Sequence, residues 1–304
     1  MATRGFVTIA TGNEKYYRLA DNLLRSYRAN ANSDAPFAII CDREDELTKG
    51  FDQVIKVDKA SCSYMDKLLL YRYAPYDETI FIDADCLIFS DLSGLWEDFS
   101  DADDVSCYGS VHPLDSQTAW FTYDGCGKYQ EDISYLIDLH GGIYYLRKTE
   151  RCRSIFEKAI ELAGEYHQYS FRNFENPADE PVIAMSLAIH GSIPCTKKMR
   201  LLFVPSFWGK LRVNSRGELF CSGKKCDAEI VHFSTTNTRR FFYNYLFECM
   251  SSEKKGLEGK LHFWRSLLVY APKEIKVNVR HWTGVILRQL VSDKMVERIK
   301  QILP

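Results

Sequence analysis

The stretch ETIFIDADCLIF, residues 78–89, is apolar on both sides of two aspartates. A carboxylate left ionised in such surroundings is costly unless it is paired or bound to a metal. ETIFI reads as a buried strand, which puts Asp83 and Asp85 at its carboxyl end. In an extended chain residues two apart project to the same side, so both carboxylates can face one site. Hard oxygen ligands of this kind suit Mg²⁺ or Mn²⁺. A plain cap on a turn at the strand end is the alternative reading of the pair.

Working outward, FVTIAT (6–11), PFAIICD (36–42) and QVIKVD (53–58) read as further strands. After the first, Tyr17, Ala20, Leu24 and Tyr27 recur at helical spacing behind Asn13, a natural N-cap. SYMDKLLLYRY (63–73) reads as a helix with Ser63 and Asp66 in capping-box spacing. Short strands apolar on both faces, alternating with helices, predict the α/β class: a mainly parallel mixed sheet flanked by helices. The catalytic domain is expected over 1–250, with a helical appendage over 251–304. In open sheets of this class ligands bind beyond the carboxyl ends of the strands, where the two aspartates lie.

Composition narrows the function classes. With 304 residues, 46% hydrophobic and 26% charged, the chain can bury one large core. A net charge of −2 supplies no field to attract nucleic acid. The ten cysteines form no CxxC pair, and Met1–Gly5 lead straight into FVTIA instead of a signal peptide, so a reducing, cytoplasmic setting is expected. Cys221 and Cys226 flank SGKK, a hairpin turn, and their spacing without a second pair argues against zinc there. No stretch reaches the roughly 18–20 apolar residues of a membrane-spanning helix.

The tripeptide D-x-D is weak evidence alone. The chain has 22 aspartates, and chance gives about one or two such matches. Asp101-Ala102-Asp103 is the internal control: it lies in the polar DFSDADDVS, a solvated loop, whereas Asp83-Ala84-Asp85 lies between apolar runs. A haloacid-dehalogenase-type phosphatase would use such a pair as nucleophile and acid/base, but Leu87 stands where its motif requires Thr or Val, and no GDxxxD follows. A nucleotidyltransferase is disfavoured by the lack of a Gly-rich, basic loop near the first strand.

Five segments, in order over residues 6–234, together resemble the glycogenin and lipopolysaccharide galactosyltransferase family of nucleotide-sugar glycosyltransferases. They are TIATGNEKYY (8–17), MDKLLLYRYAPYDETIFIDADCLIF (65–89), HGGIYYLRK (140–148), ADEPVIAMSLAIHG (178–191) and IVHFS (230–234). The resemblance implies a Rossmann-like GT-A fold and transfer of a sugar from a nucleotide donor, a UDP-sugar, to a glycan or lipid-linked acceptor. Retention of anomeric configuration is implied as well, with an inverting route through Asp179 or Glu180 as base left open. It implies Thr11, Asn13, Tyr16, Lys67, Asp83, Ala84, His140, Gly141 and Gly142 at the donor. Asp83, Asp85 and His232 fall at the Mn²⁺ or Mg²⁺ ion, and Asp179 and Glu180 at the reacting sugar.

The chain departs from the family pattern at three places. The family's Asp-Gln is Asp179-Glu180, its Asn before the glycines is His140, and its Gly and Lys-Pro-Trp after the histidine are replaced by STTNTRRFF (234–242). Arg239 or Arg240 is the expected stand-in for the missing phosphate-binding lysine. These departures point to a branch that builds bacterial-type surface polysaccharide.

Each residue also has a plainer reading. His232 can be a satisfied histidine in an apolar strand, Asp179 a helix cap before Pro181, and the two glycines a strand-entry turn instead of a close approach to sugar. A sugar-nucleotide-binding protein without catalysis remains the alternative function. From Lys254 onward eleven basic residues face four acidic ones among interleaved aromatics and aliphatics. That is either an amphipathic surface, over 257–304, for the inner face of a membrane or a packed appendage with a solvated basic face.

Overall fold

The structure is a computed structural model that describes residues 3–172, 176–203, 211–213, 218–221 and 224–238, together with 243, 244, 247, 268, 272, 275 and 279. Arg239, Arg240 and all of 251–304 except those last four positions lie outside the described residues, and with them the helical appendage read from the sequence.

The strands are β1 (Arg4–Ala10), β2 (Phe37–Cys41), β3 (Gln53–Lys56), β4 (Glu78–Ile82), β5 (Cys86–Ile88), β6 (Val105–His112), β7 (Leu136–Arg147), β8 (Leu201–Phe203), β9 (Leu211–Val213), β10 (Leu219–Cys221), β11 (Lys224–Lys225) and β12 (Ile230–His232). The principal sheet has the order β3-β2-β1-β4-β7-β6. β1, β2, β3 and β4 run parallel, while β7 is antiparallel to both β4 and β6. This is the mixed, mainly parallel α/β sheet that the alternating apolar runs predict.

The helices are α1 (Glu14–Asn30), α2 (Leu70–Tyr73), α3 (Ser93–Asp98), α4 (Glu150–Gly164), α5 (Asp179–Ile189) and α6 (Ser234–Asn237). Asn13 caps α1 as expected, its side chain accepting from the Lys15 N–H at 2.9 Å. Tyr17, Ala20, Leu23, Leu24 and Tyr27 then form the buried stripe of α1. On that side Phe6, Tyr27, Phe37 and Phe51 pack with ring centroids 5.1–5.9 Å apart, each pair adding about 0.5–1.5 kcal/mol beyond burial. α4 and α5 cover the opposite face, where Val7, Ile40, Phe81 and Tyr144 of the sheet meet Ile155, Phe156, Val182 and Met185.

Two local readings need correction. Residues 63–73 do not start as an α-helix: a 3-10 turn spans Tyr64–Leu69 before α2. Ser63 caps it through the Met65 N–H, but Asp66 does not complete the capping box. Its carboxylate is drawn instead to Ser61, Cys62 and the Thr11 hydroxyl.

The second correction concerns Asp83-Ala84-Asp85, which is a turn and not an extended segment. The Asp83 N–H donates to the Gly142 carbonyl at 3.0 Å, extending the β4–β7 ladder by one residue, and the Cys86 N–H then closes the turn on the Asp83 carbonyl at 3.0 Å. Beyond it the chain leaves the principal sheet, and β5 joins a second sheet of order β5-β12-β8. The control, Asp101-Ala102-Asp103, lies at the surface in a loop, as its polar setting predicts.

β9, β10 and β11 form a third small sheet, and the β10–β11 hairpin carries Cys221 opposite Lys224. Arg200 fixes the second sheet to the rest. Its guanidinium donates to Asp98 at the end of α3 at 2.6 Å and to Glu229 just before β12, while Tyr108 donates to the same Asp98 at 2.7 Å. Charged hydrogen bonds of this kind are worth about 1.5–3 kcal/mol. Arg200→Ala is therefore expected to lower unfolding stability by about that much; a urea midpoint unchanged from the parent would show that the network contributes nothing.

Candidate functional site

Of the sequence-predicted residues, Lys67, Asp83, Asp85, His140, Gly141, Gly142, Asp179, Glu180 and His232 come together where β4 and β7 meet the turn at 83–85. Asp83 ends β4, Asp85 opens toward β12, and His232 lies directly across the ladder from Cys86. The His232 Nε2 is 3.1 Å from the Asp85 Oδ1 and 3.8 Å from the Asp83 Oδ2. The turn, not strand alternation, is what points both carboxylates to one place.

Behind them Lys67 is almost fully buried. Its Nζ is 3.0 Å from the Asp83 Oδ2, 3.0 Å from the Gly141 carbonyl and 3.3 Å from the Asp179 Oδ2. Two of its N–H groups are thus hydrogen-bonded, to Asp83 and Gly141, and Asp179 adds an ion pair, so the ammonium is held from inside the protein. Asp179, the first residue of α5, is fully buried and does not cap its helix. Its Oδ2 also accepts from the Tyr144 hydroxyl at 2.7 Å, while its Oδ1 has no partner among the described residues.

Glu180 is half-buried and lies over β7. A Cβ on Gly141 would come within 2.6 Å of the Glu180 Cγ. One on Gly142 would come within 2.9 Å of both the His140 and His232 rings. The two glycines thus sit inside β7, not in an entry turn, and their missing side chains make room for a carboxylate and two imidazoles. His140 accepts the Gly142 N–H on its Nδ1 at 3.1 Å, which leaves its proton on Nε2. Its ring meets His232 and Phe203 edge-on at 5.1 Å.

Electrostatics set the character of the cluster. Four carboxyls, those of Asp83, Asp85, Asp179 and Glu180, face a single ammonium. Burial works against the charge on Lys67, yet Asp179, Asp83 and Glu180 hold its pKa well above the usual amine range. Burial, reinforced by Asp179, pushes Glu180 up to about 7. Burial opposes protonation of His232, but Asp85 overrides it and raises its pKa. His140, buried beside His232 and Lys67, falls to about 3 and is neutral. The cluster is short of positive charge, and the protein makes up part of the deficit with protons on His232 and Glu180.

The donor set fits a divalent ion. Two carboxylates and an imidazole converge within ion-pair distance, and the surplus of acidic charge is what a dication offsets. Elsewhere, Thr11 is buried and its hydroxyl is spent on Asp66 at 2.7 Å. Asn13 is exposed and occupied as the α1 cap, Tyr16 is partly buried beside it, and Ala84 is buried in the turn. Arg239 lies outside the described residues.

Sequence reasoning missed Tyr144, which reads as core in an apolar strand; only its hydroxyl betrays a polar partner. It also missed Asp42, whose carboxylate accepts the Gly12 N–H at 3.1 Å and the Tyr17 hydroxyl, pinning the turn after β1 where Gly12 adopts φ +70°. Tyr64 is 52% exposed, and its hydroxyl is pushed up by burial of part of the ring and further by Tyr16 and Asp85.

No protein-family model and no curated protein matches the sequence. Solved structures do. The galactosyltransferase LgtC, solved in complex with donor and acceptor sugar analogs, aligns with a TM-score of 0.53 at 15% identity over 85% of this chain and 99% of its own. The bifunctional glycosyltransferase WbbM aligns at 0.49 and 13% identity over 87% of this chain and 52% of its own. The glycosyltransferase GlyE of Streptococcus pneumoniae aligns at 0.40 and 17% identity over 60% of this chain and 43% of its own. The match to LgtC over nearly the whole of that chain establishes a shared fold, the Rossmann-like GT-A arrangement that the five sequence segments imply.

Proposed function

We propose that this chain is a cation-dependent glycosyltransferase that moves a sugar from a nucleoside diphosphate, UDP, to a hydroxyl of a glycan or lipid-linked acceptor in surface polysaccharide synthesis. The observation that carries the reading is the approach of the Asp85 and Asp83 carboxylates to the His232 Nε2, at 3.1 and 3.8 Å, just beyond β4 in the fold of LgtC. LgtC was crystallised with donor and acceptor sugar analogs, and the acidic cluster of this chain lies beyond the carboxyl end of β4, where open α/β sheets bind their ligands.

Asp83, Asp85 and His232 would hold Mn²⁺ or Mg²⁺, which supplies Lewis-acid stabilisation for the departing diphosphate. The remaining roles follow from the protein's own groups. Lys67, hydrogen-bonded to Asp83 and Gly141 and ion-paired with Asp179, orients Asp83 and adds positive charge from behind. Asp179, locked by Tyr144 and Lys67, positions that ammonium. Glu180 is the carboxyl left to face the sugar, poised near pH 7 to hold or release a proton and to stabilise oxocarbenium-like charge. His140 is a neutral imidazole with its proton on Nε2, a hydrogen-bond donor where the family has an asparagine. Tyr16 and Tyr64 offer aromatic faces for a base or sugar ring.

For the acceptor, a lipid-linked glycan at a membrane surface is favoured by the basic 257–304 segment. Leu268, Ile275 and Val279 in that segment are all exposed. Among the described residues no helix is long and apolar enough to cross a membrane.

Calorimetric titration with UDP, GDP and their sugar conjugates, with and without Mn²⁺, tests the reading. One nucleotide is expected to bind only with the metal, and Asp85→Asn to abolish that binding; slow UDP release from the conjugate without acceptor separates an enzyme from a mere binding protein. Failure of the folded protein to bind any nucleotide would overturn the assignment. Because Asp85 keeps His232 protonated above the usual imidazole range, Mn²⁺ must displace that proton, and its affinity is expected to climb as pH rises through that range.

Glu180 supplies a second test. Its proton is held more tightly in the native chain than in the unfolded one, so the stability linked to it is full below the ordinary glutamate range and is lost as pH rises through about 7. Glu180→Gln keeps the shape and cannot ionise. In metal-free protein it is expected to raise the melting temperature at pH 8 and leave it unchanged at pH 5; an identical shift at both values would refute the assignment of the raised pKa to this residue.

A further inference from the structure

Cys86 follows Asp85 directly and pairs across the ladder with His232. It is fully buried, and a strand cysteine in that position reads as a small apolar residue. Its surroundings are not apolar on every side. Asp85, Cys86 and His232 each present one donor atom, and the three atoms lie within 4.8 Å of one another. The same imidazole therefore neighbours Asp85 together with the Cys86 sulfur, and also Asp85 together with Asp83, whose Oδ2 is 3.8 Å from its Nε2. The His232 Nδ1 is buried without a hydrogen-bond partner among the described residues, and its Nε2 is the nitrogen that meets Asp85 and Asp83.

The two sets differ in the ion they suit. Carboxylate and imidazole suit Mg²⁺ and Mn²⁺, whereas thiolate, imidazole and carboxylate together suit Zn²⁺ or Co²⁺ in a tetrahedral site with one position open. We propose that Cys86 is a ligand in its own right: Asp85, Cys86 and His232 form an oxygen, sulfur and nitrogen site for a borderline-soft dication, competing with the hard-cation set of Asp83, Asp85 and His232. Coordination exchanges the thiol proton for the ion and releases it to solvent. The proposal rests on the cation reading above. It adds that the identity of the ion decides which of the two sets is filled, and that Zn²⁺ draws the ion away from Asp83 and its Lys67 partner.

Cobalt is the probe, because thiolate ligation gives Co²⁺ a strong near-ultraviolet charge-transfer absorption that oxygen and nitrogen ligands do not. Metal-free, full-length protein titrated with Co²⁺ is expected to develop that absorption at one equivalent, and both Cys86→Ser and His232→Ala to lose it. Cys86→Ser is further expected to weaken Zn²⁺ binding by at least about tenfold, on the scale of lost metal-site partners, while leaving the Mn²⁺ titration as in the parent. X-ray absorption of the zinc-loaded parent, which needs no variant to fold, is expected to place one sulfur at about 2.3 Å from the ion. Co²⁺ binding without charge transfer, or charge transfer that survives Cys86→Ser, would overturn the thiol ligand and leave the Mn²⁺ reading standing. No binding of either Co²⁺ or Mn²⁺ would overturn both.

Discussion

One buried ammonium organises the site. Lys67 reaches from the 3-10 turn before α2 to the end of β4 through Asp83, to β7 through the Gly141 carbonyl and to α5 through Asp179. Four separate elements thus meet at a single nitrogen. Taking away one partner of a buried ion pair costs about 3–5 kcal/mol, because the other charge is left unpaired, and here the loss would strand two carboxylates at once. The position of Asp83, and through it the geometry of the whole acidic cluster, follows from this contact. Tyr144 completes the arrangement by donating to the same Asp179 oxygen that pairs with the lysine, which fixes that carboxylate in place.

The parts of the fold that rest on long apolar runs were legible in the sequence. FVTIAT, PFAIICD and ETIFI are strands because both their faces are buried, and α1 is a helix because its apolar residues fall on one stripe behind a capping asparagine. Legibility fails where structure depends on contacts distant in sequence. The second sheet is made of three-residue strands joined from positions 86–88, 201–203 and 230–232, and no window that short carries a periodic signal. For the same reason the D-x-D reads as extended when it is a turn, since what bends it is the departure of β5 toward β12. Asp66 likewise reads as half of a capping box because Thr11, its actual partner, is 55 residues away.

Among the site residues, charged side chains in apolar settings announced themselves and aromatic ones did not. Asp83 and Asp85 stand out because burying them requires partners, whereas Lys67, Asp179 and His232 are picked out by the resemblance of the segments that carry them. Tyr144 and Cys86 do not, because each is at home in a strand core and only its neighbours reveal a polar use. The glycines show the opposite case. Gly141 and Gly142 suggest a close approach in sequence, and the approach is real, but the bodies that come near are Glu180, His140 and His232 of the protein itself.

The turn at Asp83-Ala84-Asp85 is also the seam between two sheets, with Asp83 on the principal one and His232 on the small one. Three-stranded sheets of such short strands have few ladder bonds of their own, and β12 is tied elsewhere chiefly through Arg200 and Glu229. An ion shared by Asp83 and His232 would act as a rivet across that seam, joining elements that otherwise open independently. Amide protection in β5, β8 and β12 would then track ion occupancy, so the small sheet would report filling of the site as a change in local unfolding and not only as a change in chemistry.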